Sequence, residues 1–88
     1  MPLIFDPAKD RVNIEKHGIS LAKAEDLTDA VVVVDNRKTY GELRIRAFGY
    51  IDGKPHCLVF TRRGDDIDDI RAISLRRART KEVKRYAP

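Results

Sequence analysis

Arginines, a pair of aromatic residues and one histidine carry the chemistry open to this sequence. Arg44, Arg46, Arg63 and Arg71 suit phosphate, because a guanidinium keeps its charge and offers paired, planar N–H donors. Phe48 and Tyr50 follow in the same stretch, "RIRAFGYI", and offer faces on which unpaired bases stack. In "EKHGIS", residues 15–20, His17 can serve as a general base, since an unperturbed imidazole titrates at about 6.5. A histidine near a helix C-terminus is also favourable through the helix dipole alone, and both explanations stand. The run "AISLRRARTKEVKRY", Ala72 to Tyr86, adds Arg76, Arg77, Arg79 and Lys81, and contains a single acid, Glu82.

Other chemistries have less behind them. Asp65, Asp66, Asp68 and Asp69 are clustered but lack the pattern of a calcium loop. Cys57 with two separated histidines makes no zinc set, and the scattered glycines form no phosphate-cradling loop. No metal or other cofactor is expected.

The elements that must position these groups are legible. Leu3–Phe5 reads as a short strand. Asp6 caps a helix that begins at Pro7 and ends at Gly18, which suits the left-handed conformation past a helix end. Ser20 caps a second helix with Leu21, Ala24 and Leu27 along one side, completing a helical hairpin. "AVVVVD", 30–35, is a continuous β-branched run and predicts a strand covered on both faces or at a sheet centre.

Register follows from one turn. Asp52-Gly53 predicts a two-residue hairpin, so Ile51 pairs with Lys54, Ala47 with Leu58 and Ile45 with Phe60. Leu43, Ile45, Ala47 and Ile51 then share an apolar face, while Arg44, Arg46, Phe48 and Tyr50 point the other way. A last strand over about 68–74 pairs Phe60 with Ala72 and Thr61 with Arg71, which keeps Arg71 out of the core, where an unpaired charge costs several kcal/mol. Ser74 ends that strand and caps a basic closing helix, with Arg76 and Arg77 at its start. The expectation is an α+β domain: a helical hairpin on an antiparallel sheet of about four strands, then a C-terminal basic helix.

Composition bounds the partners. At 88 residues the chain is one domain, too short for two cores. Residues 1–40 hold six Lys/Arg against seven Asp/Glu, and residues 41–88 hold twelve against seven, so the second half carries the positive excess. That points to a polyanion or an acidic protein partner. No apolar run approaches the roughly 18 residues that span a bilayer, and a lone cysteine suits a reducing cytoplasm.

Together "FDPAK", "KHGIS", "VFTRR" at 59–63 and "IRAISLRRA" with a later Tyr86 resemble the BrnT family of bacterial toxins, in the right order along nearly the whole chain. The resemblance implies the RelE/ParE-like fold and metal-independent ribonuclease activity that inhibits translation. It also implies neutralisation by a BrnA-like antitoxin with a ribbon-helix-helix domain, the pair assembling on operator DNA. It matches Asp6, Lys9 and Asn13 to the family's first-helix pattern, Lys16 and His17 to its "KHG", and Arg44, Arg63, Arg71, Arg76 and Arg77 to its arginine positions. His17 or Lys16 is then the proton-transfer group and Arg63, Arg71, Arg76 and Arg77 the phosphate clamps. Arg44, Arg46, Phe48, Tyr50, Arg79 and Lys81 would hold RNA. Charge alone fits a non-catalytic binding module equally well, and the same fold also hosts ParE-like gyrase inhibitors.

Overall fold

A computed structural model describes residues 3–34, 44–62 and 70–86. In chain order it contains β1 (Leu3–Ile4), α1 (Pro7–His17), a 3-10 helix (Leu21–Asp26), β2 (Thr28–Val34), β3 (Ile45–Ile51), β4 (Lys54–Arg62), β5 (Ile70–Arg77) and α2 (Thr80–Tyr86). The strands form one sheet in the order β1-β5-β4-β3-β2. β2 to β5 are antiparallel, and β1 runs parallel to β5 through Leu3↔Ile70 and Ile4↔Arg71.

α1 begins and ends as its capping residues dictate. Asp6 accepts a hydrogen bond from the Ala8 amide, Pro7 opens the helix, and Gly18 at φ 71° returns its N–H to the Ile14 carbonyl. The second helix, capped by Ser20 as expected, is a 3-10 helix and differs in this from α1. Its apolar positions explain the difference: Leu21, Ala24 and Leu27 recur every three residues, the 3-10 period, and Leu27 N–H closes on the Ala24 carbonyl. Asp10 joins the two elements by accepting from the Leu21 amide at 2.7 Å and from Ser20 Oγ.

The Asp52-Gly53 turn sets the sheet register. Both residues have positive φ, 52° and 74°, and β3 pairs with β4 as Ile51↔Lys54, Ala47↔Leu58 and Ile45↔Phe60. Ile45, Ala47, Ile51, Leu58 and Phe60 form a core with Ile70, Ala72 and Leu75 of β5 and with Leu21 and Ala24 beneath the 3-10 helix. The 3-10 helix covers this first face, α1 runs along β5, and α2 lies on the second face, where Tyr86 stacks on Phe48.

Two further expectations need correcting. The valine run is an edge strand instead of a covered one. Val32 and Val34 are 59% and 54% exposed, because the helices cover β3–β5 and β2 has a described neighbour only on its β3 side. Gly49 lets β2 come close, since a Cβ there would lie 2.6 Å from the Thr28 carbonyl oxygen. β5 does not stop at Ser74 but runs to Arg77, and Ser74 stays within the strand. His56 is buried in β4, and its Nδ1–H donates to the Lys54 carbonyl at 2.8 Å.

β5 also contains a bulge. Val59 pairs with Ser74 and Phe60 with Ala72, leaving Ile73 as the extra residue. Strict alternation would put Arg71 and Arg76 on opposite faces; the bulge returns both to the second face while Ala72 and Leu75 stay in the core.

Candidate RNA-cleavage site

α1 is fastened along β5 by one side chain. Asn13 is buried, and its Nδ2 donates to the carbonyls of Leu75 (2.8 Å) and Ile19 (2.9 Å), while the Leu75 amide donates to its Oδ1 at 3.0 Å. The amide group thus occupies the place of a neighbouring strand. This fixes the helix so that Lys9, Val12, Lys16 and His17 face the sheet across a cleft of about 600 Å³, whose other wall includes Arg44, Ile73 and Ser74. A second cleft shares Lys9 and Ile73 with the first and adds Asp6, Thr61 and Arg71. Lys16 and His17 are therefore brought to Arg44, with Arg71 in the adjoining hollow.

His17 closes α1 at its C-terminal end. Partial burial is the first cause that pushes its pKa below 6.5, followed by the positive charges of Arg76, Lys16 and Arg79. The imidazole is neutral at neutral pH, the form that accepts a proton.

Other expected site residues stand elsewhere. Phe48 is 1% exposed and lies under Tyr86, ring centroids 4.6 Å apart and planes at 10°, so it presents no face to a base. Arg46 is buried too, its guanidinium carbon 5.4 Å from the Phe48 ring centre and 5.7 Å from that of Tyr86. Both corrections have one cause: α2 folds back over this part of the second face. Tyr50 is half-buried at the β2–β3 pairing, and Thr28 Oγ1 donates to its carbonyl. Arg63 lies outside the described residues, as do Leu43, Asp35 and the acidic cluster.

Arg76 and Arg77 part company. Arg76 donates to Glu82 through both terminal nitrogens, Nη1 to Oε1 at 2.7 Å and Nη2 to Oε2 at 2.8 Å. Their side chains are 14% and 11% exposed. Glu82 Oε1 also accepts from the Arg79 amide at 2.8 Å, the N3 half of a capping box, so Glu82 starts α2 where Ser74 was expected to. The Arg76 pairing above all, with the Arg79 amide, holds the Glu82 carboxyl down to about 2, against the opposing effect of burial. Arg76 is thus a structural partner whose charge still reaches His17. Arg77 is exposed on the first face, opposite His56. Arg79 and Lys81 are exposed at the start of α2.

Sequence reasoning missed the tasks of Asn13 and Glu82. Glu82 carried a signal, as the lone acid in a basic run; Asn13 carried one only as a polar residue within "DRVNIE".

A family described as the ribonuclease toxin, BrnT, of type II toxin–antitoxin systems matches residues 5–82. The chain belongs to the BrnT family. No curated protein matches it significantly. BrnT proteins are ribonuclease toxins that work opposite an antitoxin, and the match takes in α1, the whole sheet from β2 to β5 and Glu82. Among the described residues of this BrnT chain no helix is long and apolar enough to cross a membrane.

Proposed function

We propose that this BrnT protein cuts single-stranded RNA in the cleft between α1 and the sheet, with the RNA's own 2′-hydroxyl as nucleophile. The neutral His17 imidazole takes the 2′-proton, the 2′-oxygen bonds to phosphorus, and the P–O5′ bond breaks as the leaving oxygen is protonated. A 2′,3′-cyclic phosphate and a free 5′-hydroxyl result. Arg44 and Arg71 stabilise the extra negative charge of the phosphorane, a contribution commonly worth about 10²–10³ in rate per donor. Lys16, one residue from His17 in the same cleft, serves the leaving oxygen. Arg63 is carried as a third phosphate clamp from its place in the family pattern.

The observation behind this assignment is the convergence of Lys16, His17 and Arg44 on one cleft, with Arg71 next to it. A proton acceptor and cations held together by a rigid helix and sheet are what in-line phosphodiester transfer needs. Growth arrest would follow from loss of messages and hence of translation. A BrnA-like antitoxin with a ribbon-helix-helix domain would relieve it by covering the cationic cleft, and the pair would assemble on operator DNA.

The test is cleavage of purified single-stranded RNA by the wild type, His17→Gln and Arg44→Ala. His17→Gln should lose about 10²–10⁴ in rate, the usual worth of a general base, and Arg44→Ala about 10²–10³. Full activity in both variants overturns the assignment, and RNA left intact by the wild type removes the nuclease altogether.

A further inference from the structure

The clefts do not stop at His17. His17 also lines a third cleft, beyond the C-terminal end of α1, with Lys23, Lys54, His56 and Arg77. The three hollows thus follow α1 from end to end, the first two joined by Lys9 and Ile73 and the last joined to the first by His17. α1 has eleven residues and is about 16 Å long, enough to run beside several successive phosphates of an extended strand.

The third cleft is built from cations of separate elements. Lys23 comes from the 3-10 helix, Lys54 from the start of β4 and Arg77 from the end of β5. Because His56 pairs with Arg77, Lys54 and Arg77 are diagonal neighbours on one sheet face. The buried His56 ring donates to the Lys54 carbonyl and so fixes the backbone there. Among the described residues, Asp52 is the one acid lining the cleft. Lys23 does approach Asp26 at 3.7 Å, but with both side chains more than half exposed such a pair holds little. Like charges gathered this way repel one another in the free protein, and an anion relieves the repulsion.

We infer that Lys23, Lys54 and Arg77 form a flanking subsite for a second RNA phosphate, next to the scissile one, entered past His17. The inference rests on the ribonuclease assignment above. It gives Arg77 a task on the opposite face of the sheet from its neighbour Arg76. The subsite holds substrate and takes no part in bond breaking, so it acts only on RNA long enough to reach it.

Length dependence tests it. The wild type and Lys23→Ala/Lys54→Ala are compared on a dinucleotide and on hexanucleotides extended on the 5′ or the 3′ side of the cut. The wild type should prefer one hexanucleotide by tenfold or more in kcat/KM. The variant should lose that preference and keep dinucleotide cleavage within twofold, since both lysines are exposed and outside the reacting centre. Arg77→Gln should reduce the same preference. A preference retained in full by the double variant, or no preference in the wild type, overturns the subsite. Binding decides the matter separately from catalysis. With an uncleavable 2′-deoxy hexanucleotide, the log–log salt slope should fall by about 0.7 for each phosphate that the variant no longer neutralises. An unchanged slope rejects the subsite even if no RNA is cut, whereas a reduced slope without cleavage rejects only the nuclease.

Discussion

Replacing Glu82 with Gln isolates what holds the closing helix. The carboxyl stands at about 2 instead of 4.5, so the folded state favours ionised Glu82 by about 3 kcal/mol, at 1.36 kcal/mol for each tenfold change in proton affinity. The side chain is only 11% exposed, so solvent screening takes little from that figure. Folded-state depression of a carboxylate stabilises above the unfolded value and is lost as pH falls from about 5 towards 2. Against a total of roughly 4–13 kcal/mol for a domain of this length, the loss is severe. Gln keeps one acceptor but leaves the mostly buried Arg76 charge without its counter-ion, and Glu82→Gln should cost about 2–3 kcal/mol at pH 7. Urea titrations of both proteins between pH 2.5 and 7 measure it. The gap between the two curves should be widest at neutral pH and close towards pH 2.5, and Arg76→Met added to Glu82→Gln should recover part of the loss. Equal midpoints at pH 7, or a gap that stays constant with pH, refute the reasoning.

The acidic limb of the cleavage rate against pH should fall below 6.5, because burial and nearby cations disfavour His17 protonation; Arg79→Gln should move it upward. The same depression makes His17 a cost below pH 6.5, where the unfolded chain binds a proton more readily, so His17→Gln should flatten acid destabilisation in that window. Asn13→Ala removes three hydrogen bonds and strands the Leu75 amide in the core, costing about 2–4 kcal/mol in urea unfolding and loosening α1 from the sheet. Gly49→Ala drives a methyl against the Thr28 carbonyl and should lower stability by about 1–3 kcal/mol, with amide exchange in β2 rising first.

Much of the frame was legible because it depends on near neighbours. Asp6, Pro7 and Gly18 act within a turn of themselves. Asp52 and Gly53 adopt positive φ at their own positions, and everything paired across β3 and β4 follows by counting. The first face of the sheet was therefore readable as the core. The valine run was misread because an unbroken apolar stretch does not say whether its strand has one neighbour or two, and β2 has β3 alone among the described strands. The site was legible in part. Lys16 and His17 were expected on one element and Arg44 and Arg71 on another, and the clefts hold all four.

Residue types and local spacing determined the kind of chemistry available, the caps of α1 and the hairpin register, since each is settled by groups a few positions apart. Tertiary packing decided which cations face α1. One extra residue at Ile73 reversed the alternation of β5 and set Arg76 on the face of Arg71. The return of α2 then covered Phe48 with Tyr86 and gave Arg76 to Glu82, while Arg77 was left on the far side with Lys54. Such choices turn on energies between segments distant in the chain, where a buried charge must find its partner and a ring its neighbour. No short window of sequence shows which of several candidate partners each will meet.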